Sequence, residues 1–224
     1  MAISFDNSVA GTHFVTSTSS SYTNNGSVLV VGMAGIDSSF GTITYGGITV
    51  PKVKQYSLVN GGISILAVYI LYSPPTGANT LAASGFGTGS YVYVVSSYNG
   101  ALYTDATTTG DGTSNQTPVT ANLPVVASNC WGYVVSSIQV ATSGTGTNPA
   151  ATGYTARQSE INYNTSGVRF RITVSDSNGT ISSGSNTISV PYTVGASPTY
   201  GGFIAISLSP TLPSVKNGNF LNFI

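Results

Sequence analysis

The chain has 224 residues, only 5% of them Asp, Glu, Lys or Arg, and its formal net charge is zero; an ordinary soluble protein carries roughly 25%. Apolar residues reach 41% and aromatic ones 10%, with 14 tyrosines, which is too hydrophobic and too neutral for intrinsic disorder and unlike the composition of a coiled coil. Six cations cannot neutralise a nucleic-acid backbone or draw the chain to an anionic membrane surface, and no apolar run nears the roughly 20 residues that span a bilayer.

Turn residues recur at short intervals, and β-branched or aromatic runs lie between them. Residues 27–34 (SVLVVGMA) are almost continuously apolar, as a central strand covered on both faces would be. Thr42–Tyr45, Gly46-Gly47 and the run from Ile48 predict a hairpin, because two glycines supply the positive φ of a tight turn. Pro51 lies inside the second arm and demotes it to an edge or bulged strand. Residues 63–72 (ISILAVYILY) are apolar on both faces, and Ser73-Pro74-Pro75-Thr76-Gly77 ends them. Strands are also expected at 91–98, 132–140, 168–175, 186–193 and 201–208; the third of these, 168–175, alternates Val168, Phe170, Ile172 and Val174 with Arg169, Arg171 and Thr173, the pattern of a half-solvated strand. Segments 104–116 and 142–153, rich in Thr, Gly and Asn, are expected to be long loops. No stretch has helical periodicity, and no internal repeat or linker is visible. The expectation is all-β: a single jelly-roll-like β-sandwich of about 10–13 strands. It should occupy residues 1–209, followed by an extended C-terminal assembly tail at 210–224. Pro210 and Pro213 oppose regular structure in that tail, whose Phe220, Leu221, Phe223 and Ile224 need an apolar surface to cover them.

Four segments taken in order carry a more specific signal: GSVLVVG at 26–32, ITYGGI at 43–48, VYILYSPPTG at 68–77 and VYVVSSYNG at 92–100. In this order and spacing the chain resembles a recurrent β-sandwich module of phage virion and bacterial surface proteins, and GGFIAISLSP at 201–210 is similar to the strand that closes it. The resemblance spans roughly residues 24–210. Tyr69 stands where the pattern usually has Trp, and Ser73 where it often has Asn. It implies a sandwich fold and an extracellular or virion setting; it brings no catalytic signature.

Residues able to do chemistry are few. His13 is the single histidine and has no nucleophile elbow beside it. Cys130 is the single cysteine, so no intrachain disulfide forms; its apolar context reads as a buried structural thiol. A glycosidase needs two carboxylates across one cleft, and the inventory of Asp6, Asp37, Asp105, Asp111, Glu160 and Asp176 sits mostly beside Gly, Ser or Asn, the turn-forming use of Asp. Asp105 and Asp111 lie in one polar segment but lack the spacing of a calcium loop. Tyr91, Tyr93 and Trp131 are the candidate glycan platform, planar rings on which a sugar could stack, weighed against core or interface rings.

These readings point to a protein that is not an enzyme and needs no cofactor or metal. Residues 1–6 (MAISFD) have neither the basic nor the apolar stretch of a signal peptide, which fits a virion protein assembled where it is made. The expected role is structural, a phage capsid decoration protein or fibre component forming a homo-oligomer, with other copies of itself and other virion proteins as partners and neither nucleic acid nor membrane. The alternatives are a carbohydrate-binding adhesin module of a tail fibre or cell surface, with a glycan as partner, and an extracellular filament subunit.

Overall fold

A computed structural model describes residues 2–12, 17–36, 40–57, 64–86, 91–112, 118–141, 145–165, 168–194 and 200–212. It is all-β, and the described residues contain no helix. The first half of the chain holds β1 (Ser4–Thr12), β2 (Ser17–Asn24), β3 (Val28–Ile36), β4 (Thr42–Tyr45), β5 (Ile48–Val50), β6 (Lys52–Ser57), β7 (Ser64–Tyr72), β8 (Gly77–Ser84) and β9 (Tyr91–Asn99). The second holds β10 (Tyr103–Gly112), β11 (Val119–Val125), β12 (Trp131–Ala141), β13 (Gly146–Thr147), β14 (Thr155–Thr165), β15 (Val168–Asp176), β16 (Gly184–Val190), β17 (Thr193–Val194) and β18 (Tyr200–Ser209).

These strands build four layers. Two five-stranded sheets, ordered β1-β9-β3-β7-β6 and β10-β18-β12-β15-β14, face each other. Val28, Val30, Leu66, Val68, Val92 and Val94 of one interlock with Tyr133, Val135, Phe170, Ile172, Ile204 and Ile206 of the other. The outer face of the first sheet is covered by β2-β8-β4-β5 over a second core containing Leu29, Val31, Tyr45, Tyr69 and Tyr91. The outer face of the second is covered by the pairs β11-β16 and β13-β17 over a third core with Leu123, Val134, Ile188 and Phe203. Each inner sheet is therefore buried on both faces, which is why 27–34 and 63–72 read as unbroken apolar runs.

The expected all-β fold is observed, with antiparallel sheets packed face to face as in a sandwich; the described strands number 18 rather than 10–13, and, against expectation, their arrangement repeats. Replacing β1, β9, β3, β7 and β6 by β10, β18, β12, β15 and β14 turns the first inner sheet's order into the second's. Fine detail repeats too. β1 has a bulge at Asp6 and β10 one at Asp105. Five positions on, Gly11 pairs with Tyr93, and Gly110 pairs with Phe203; in each case the ring lies over the glycine, where a Cβ would come within 2.3 Å and 2.2 Å of it. Gly77-Ala78-Asn79-Thr80-Leu81 and Gly184-Ser185-Asn186-Thr187-Ile188 open β8 and β16, and each Asn amide turns back to a carbonyl of the preceding turn, Thr76 and Ser182. The halves stack with their strand order reversed, β1 over β14 and β6 over β18, so an approximate twofold axis runs between β3 and β12. Gly32 and Val135 face each other across it, and a Cβ on Gly32 would meet the Val135 side chain at 2.8 Å.

Polar groups set the registry of the two halves. Asp176 on β15 accepts from the Nε and Nη2 of Arg157 at 2.6 and 2.8 Å and from the Tyr98 hydroxyl of the other half at 2.9 Å. The same guanidinium lies 4.2 Å over the Phe5 ring, and Gln158 donates to the Ser8 carbonyl.

Local expectations fare unevenly. Gly46 and Gly47 take φ of 56° and 80° and close the β4–β5 hairpin as expected; Pro51 then sends the chain from the outer sheet to the edge of the inner one at β6. The described part of the segment expected as a loop at 104–116 is a strand: 103–112 form β10, because threonine is a β-branched strand former whatever its polarity. Nor is β15 half-solvated, since Thr173 and Ser175 are buried beneath the segment around Asn148 and Ala151. The proposed tail residues Phe220, Leu221, Phe223 and Ile224, like His13 and Asp37, lie outside the described residues.

Candidate functional site

The concave feature nearest the sequence-predicted residues opens at the end of the inner sheets where β12 begins. Its formation starts with Asn129, held in the left-handed region at φ 59°, a conformation Asn tolerates better than most residues. The kink lets Cys130 bridge to Ile181, whose N–H donates to the Cys130 carbonyl at 2.8 Å. Gly132 then exchanges bonds with Ser177. Trp131 is thereby fixed with its ring edge-on to Tyr98, centroids 6.3 Å apart, and its remaining exposed edge forms a wall of the opening.

Ala2, Ile3, Asn129, Trp131, Thr180, Pro210 and Thr211 enclose a cleft of about 350 Å³. A shallower shelf of about 280 Å³ continues from it past Asn129 and Thr180 to Ser128, Ile181, Ser182 and Ser183. Among the described residues no ionisable side chain lines either. The lining suits an apolar or neutral hydroxylated group. Around it three large apolar side chains face solvent: Leu102 at 49% exposure, Leu212 at 68% and Val126 at 81%. The Leu102 N–H donates to the Ser209 carbonyl next to Pro210, and the Val126 N–H to the Asp105 carboxylate in β10.

The predicted glycan rings are not brought together. Tyr91 and Tyr93 are buried in the core beneath the outer sheet, Tyr91 edge-on to Phe40 and Phe86 at 5.2 and 4.9 Å, whereas Trp131 belongs to the central core. A strand apolar on both faces leaves its rings no solvent to face. Of the three, Trp131 alone lines an opening.

The carboxylates whose side chains are described act as acceptors within the fold. Asp6 takes the Asn25 N–H and the Ser97 hydroxyl at 3.1 and 2.7 Å. Asp105 takes the N–H groups of Val126 and Ala127 at 2.6 and 3.1 Å, clamping the turn before β12 as Asp6 clamps the turn before β3. Asp176 is the centre of the Arg157 cluster, whose short bonds raise the guanidinium pKa further above its ordinary value. Among the described residues no group of three or more His, Cys, Asp or Glu converges. Cys130 is buried, and that burial pushes its thiol pKa up, away from the thiolate a nucleophile needs.

The solvent-exposed apolar rim and the cleft were missed in the sequence. Val126 follows Leu123-Pro124-Val125 and Leu102 sits between Ala101 and Tyr103, so nothing along the chain distinguishes these exposed side chains from buried ones. Comparison with protein-family models, with curated proteins and with solved structures yields no match.

Proposed function

We propose that this chain is a non-enzymatic structural protein of a virus particle, a phage capsid decoration protein or fibre component that works by assembly. The observation that carries the reading is the use made of its scarce chemistry-bearing groups. Asp6 and Asp105 clamp turns, Asp176 and Arg157 lock one half to the other, and Cys130 packs in a core. In a chain with only six acidic and six basic side chains, groups held this way maintain a rigid neutral body. The apolar residues Leu102, Val126 and Leu212 at one end then offer the kind of surface on which subunits associate.

Particles banded on a density gradient and probed with an antibody to this chain test the reading. The chain should co-sediment with the particles at a fixed ratio to the shell protein. Recovery only from the cell envelope or the culture fluid would overturn it. The uncharged cleft at Trp131 is the one observation that favours glycan binding instead, and a glycan array run on the same preparation distinguishes the two.

A further inference from the structure

We propose that the cleft at Trp131 is the acceptor for the segment 213–224 of a second copy, and that two copies exchange these segments across a twofold axis to give a closed dimer. The inference rests on the assembly reading above and adds the seat, the occupant and the symmetry.

The first argument is chemical. The wall of the cleft is apolar where Ile3, Trp131 and Pro210 line it, and the exposed Leu212 follows the lining residue Thr211 directly. An acidic or basic partner would find no counter-charge there, and a charged group entering it would be desolvated without compensation. The segment that follows Leu212 matches: in PSVKNGNFLNFI, Phe220, Leu221, Phe223 and Ile224 lie beyond a polar spacer whose single charge is Lys216. A pocket of a few hundred cubic ångströms holds one or two such side chains, the usual anchor of a peptide in a groove.

The second argument is geometric. The described chain leaves the body at Pro210, Thr211 and Leu212, and Pro210 and Thr211 are themselves part of the cleft's lining. The point of departure and the seat therefore share one lip. Pro213 follows Leu212 and biases it toward extended backbone. From 213 to 220 an extended chain reaches up to about 25 Å at roughly 3.3–3.6 Å per residue, enough to cross to a copy facing it end to end. When departure and seat coincide, the copy that receives a segment presents its own segment back to the donor. The contact is isologous and closes at two; a segment that left from one end and docked at the other would instead propagate a filament.

The single tryptophan lines the seat, so its emission reports occupancy directly. Sedimentation velocity and Trp131 emission are measured on the full chain across a dilution series, for the native protein and for Thr180→Arg, which places a long cation at the exposed mouth of the cleft, and Val126→Asp on the exposed rim. The expected result is a monomer–dimer transition with Trp131 emission moving to shorter wavelength at the same midpoint. Each variant should raise that midpoint at least about tenfold while leaving the thermal melt unchanged. A synthetic peptide of residues 213–224 should return the protein to monomers with the short-wavelength emission retained.

Four outcomes would overturn the inference. Mass that grows without limit rules out the closed pair. Association in Thr180→Arg as strong as in the native chain means the cleft is not the seat, although assembly itself stands. A monomer at every concentration, with emission indifferent to dilution and to peptide, means that no second copy supplies the segment. Emission that responds to a neutral oligosaccharide and not to the peptide makes the cleft a sugar site. Loss of particle co-sedimentation would instead sink the proposed function and leave the dimer untouched.

Discussion

At the scale of single residues, this protein replaces abundance of charge with placement. Asp176 has 1% of its side chain exposed and Arg157 14%, and breaking such a pair leaves a buried charge uncompensated. Arg157→Ala should therefore cost about 3–5 kcal/mol in urea unfolding, far more than removing an exposed cation such as Lys54, which should stay within about 0.5 kcal/mol. Equal losses would show that the cluster is incidental. The tyrosines give a second residue-scale expectation, in alkali. Burial pushes the pKa values of Tyr22, Tyr72 and Tyr154 up to about 12 and holds Tyr98 and Tyr192 well above the ordinary value. Unfolded tyrosines release their protons near pH 10. Because the folded pKa values are the higher ones, the stability they contribute is complete below about pH 10 and is lost as pH rises from 10 through 12. Denaturant midpoints followed from pH 8 to 12 check this. Midpoints that stay level from pH 8 to 12 would contradict it.

The elements divide cleanly into those the sequence announces and those it conceals. The strands β3, β7, β9, β12 and β18 lie in the inner sheets, buried on both faces, and their apolar runs give them away. The outer and edge strands β1, β2, β8, β10 and β11 are rich in Ser, Thr, Asn and Ala, with only scattered large apolar residues such as Phe5, Leu81 and Leu123. Their side chains alternate between core and solvent with small residues on the wet side, so hydrophobicity does not separate them from loops. That is why 104–116 reads as a loop although most of it is a strand. The cross-strand pairs Gly11–Tyr93 and Gly110–Phe203 are equally silent, because a glycine in a strand looks like a weakness until the ring lying over it is seen. Gly110→Ala must displace the Phe203 ring, which has 0% exposure and no open side to move toward. A loss of about 1–3 kcal/mol is expected, with Gly47→Ala on the open turn costing through its backbone angle alone. If Gly110→Ala melts like the native protein, the ring is not pinned.

For the whole molecule, the duplication escaped the sequence for a physical reason. What the halves share is strand order, bulge position and turn geometry, while the residues filling equivalent places differ: Val28 pairs with Tyr98 where Trp131 pairs with Leu208, and Gly32 faces Val135. Two large side chains cannot meet at the axis, so a glycine stands opposite a valine there. The cleft at Trp131 is lined by residues from distant parts of the chain, Ala2 to Thr211, so it could not be read along the chain. Net neutrality has its own consequence at this scale. Contact made by apolar and hydrogen-bonding groups is insensitive to screening, so association measured at low and at molar salt should differ by less than about threefold, well inside the tenfold that 1.4 kcal/mol would produce. Dissociation by salt alone would show that charges hold the subunits together.

The twofold stacking also dictates what happens at the ribosome. β1 can pair only after β9 exists, and the sheet they complete keeps Val28, Val30, Val68, Val92 and Val94 uncovered until β12, β15 and β18 arrive about a hundred residues later. At roughly 5–20 residues per second the nascent first half waits about 5–20 seconds with its inner face bare. Its natural cover is a near-copy of itself, so first halves on neighbouring ribosomes are the nearest wrong partners. Slow synonymous codons introduced across residues 101–200 should lengthen that wait and lower the soluble yield, whereas the same codons across residues 1–90 should leave it unchanged.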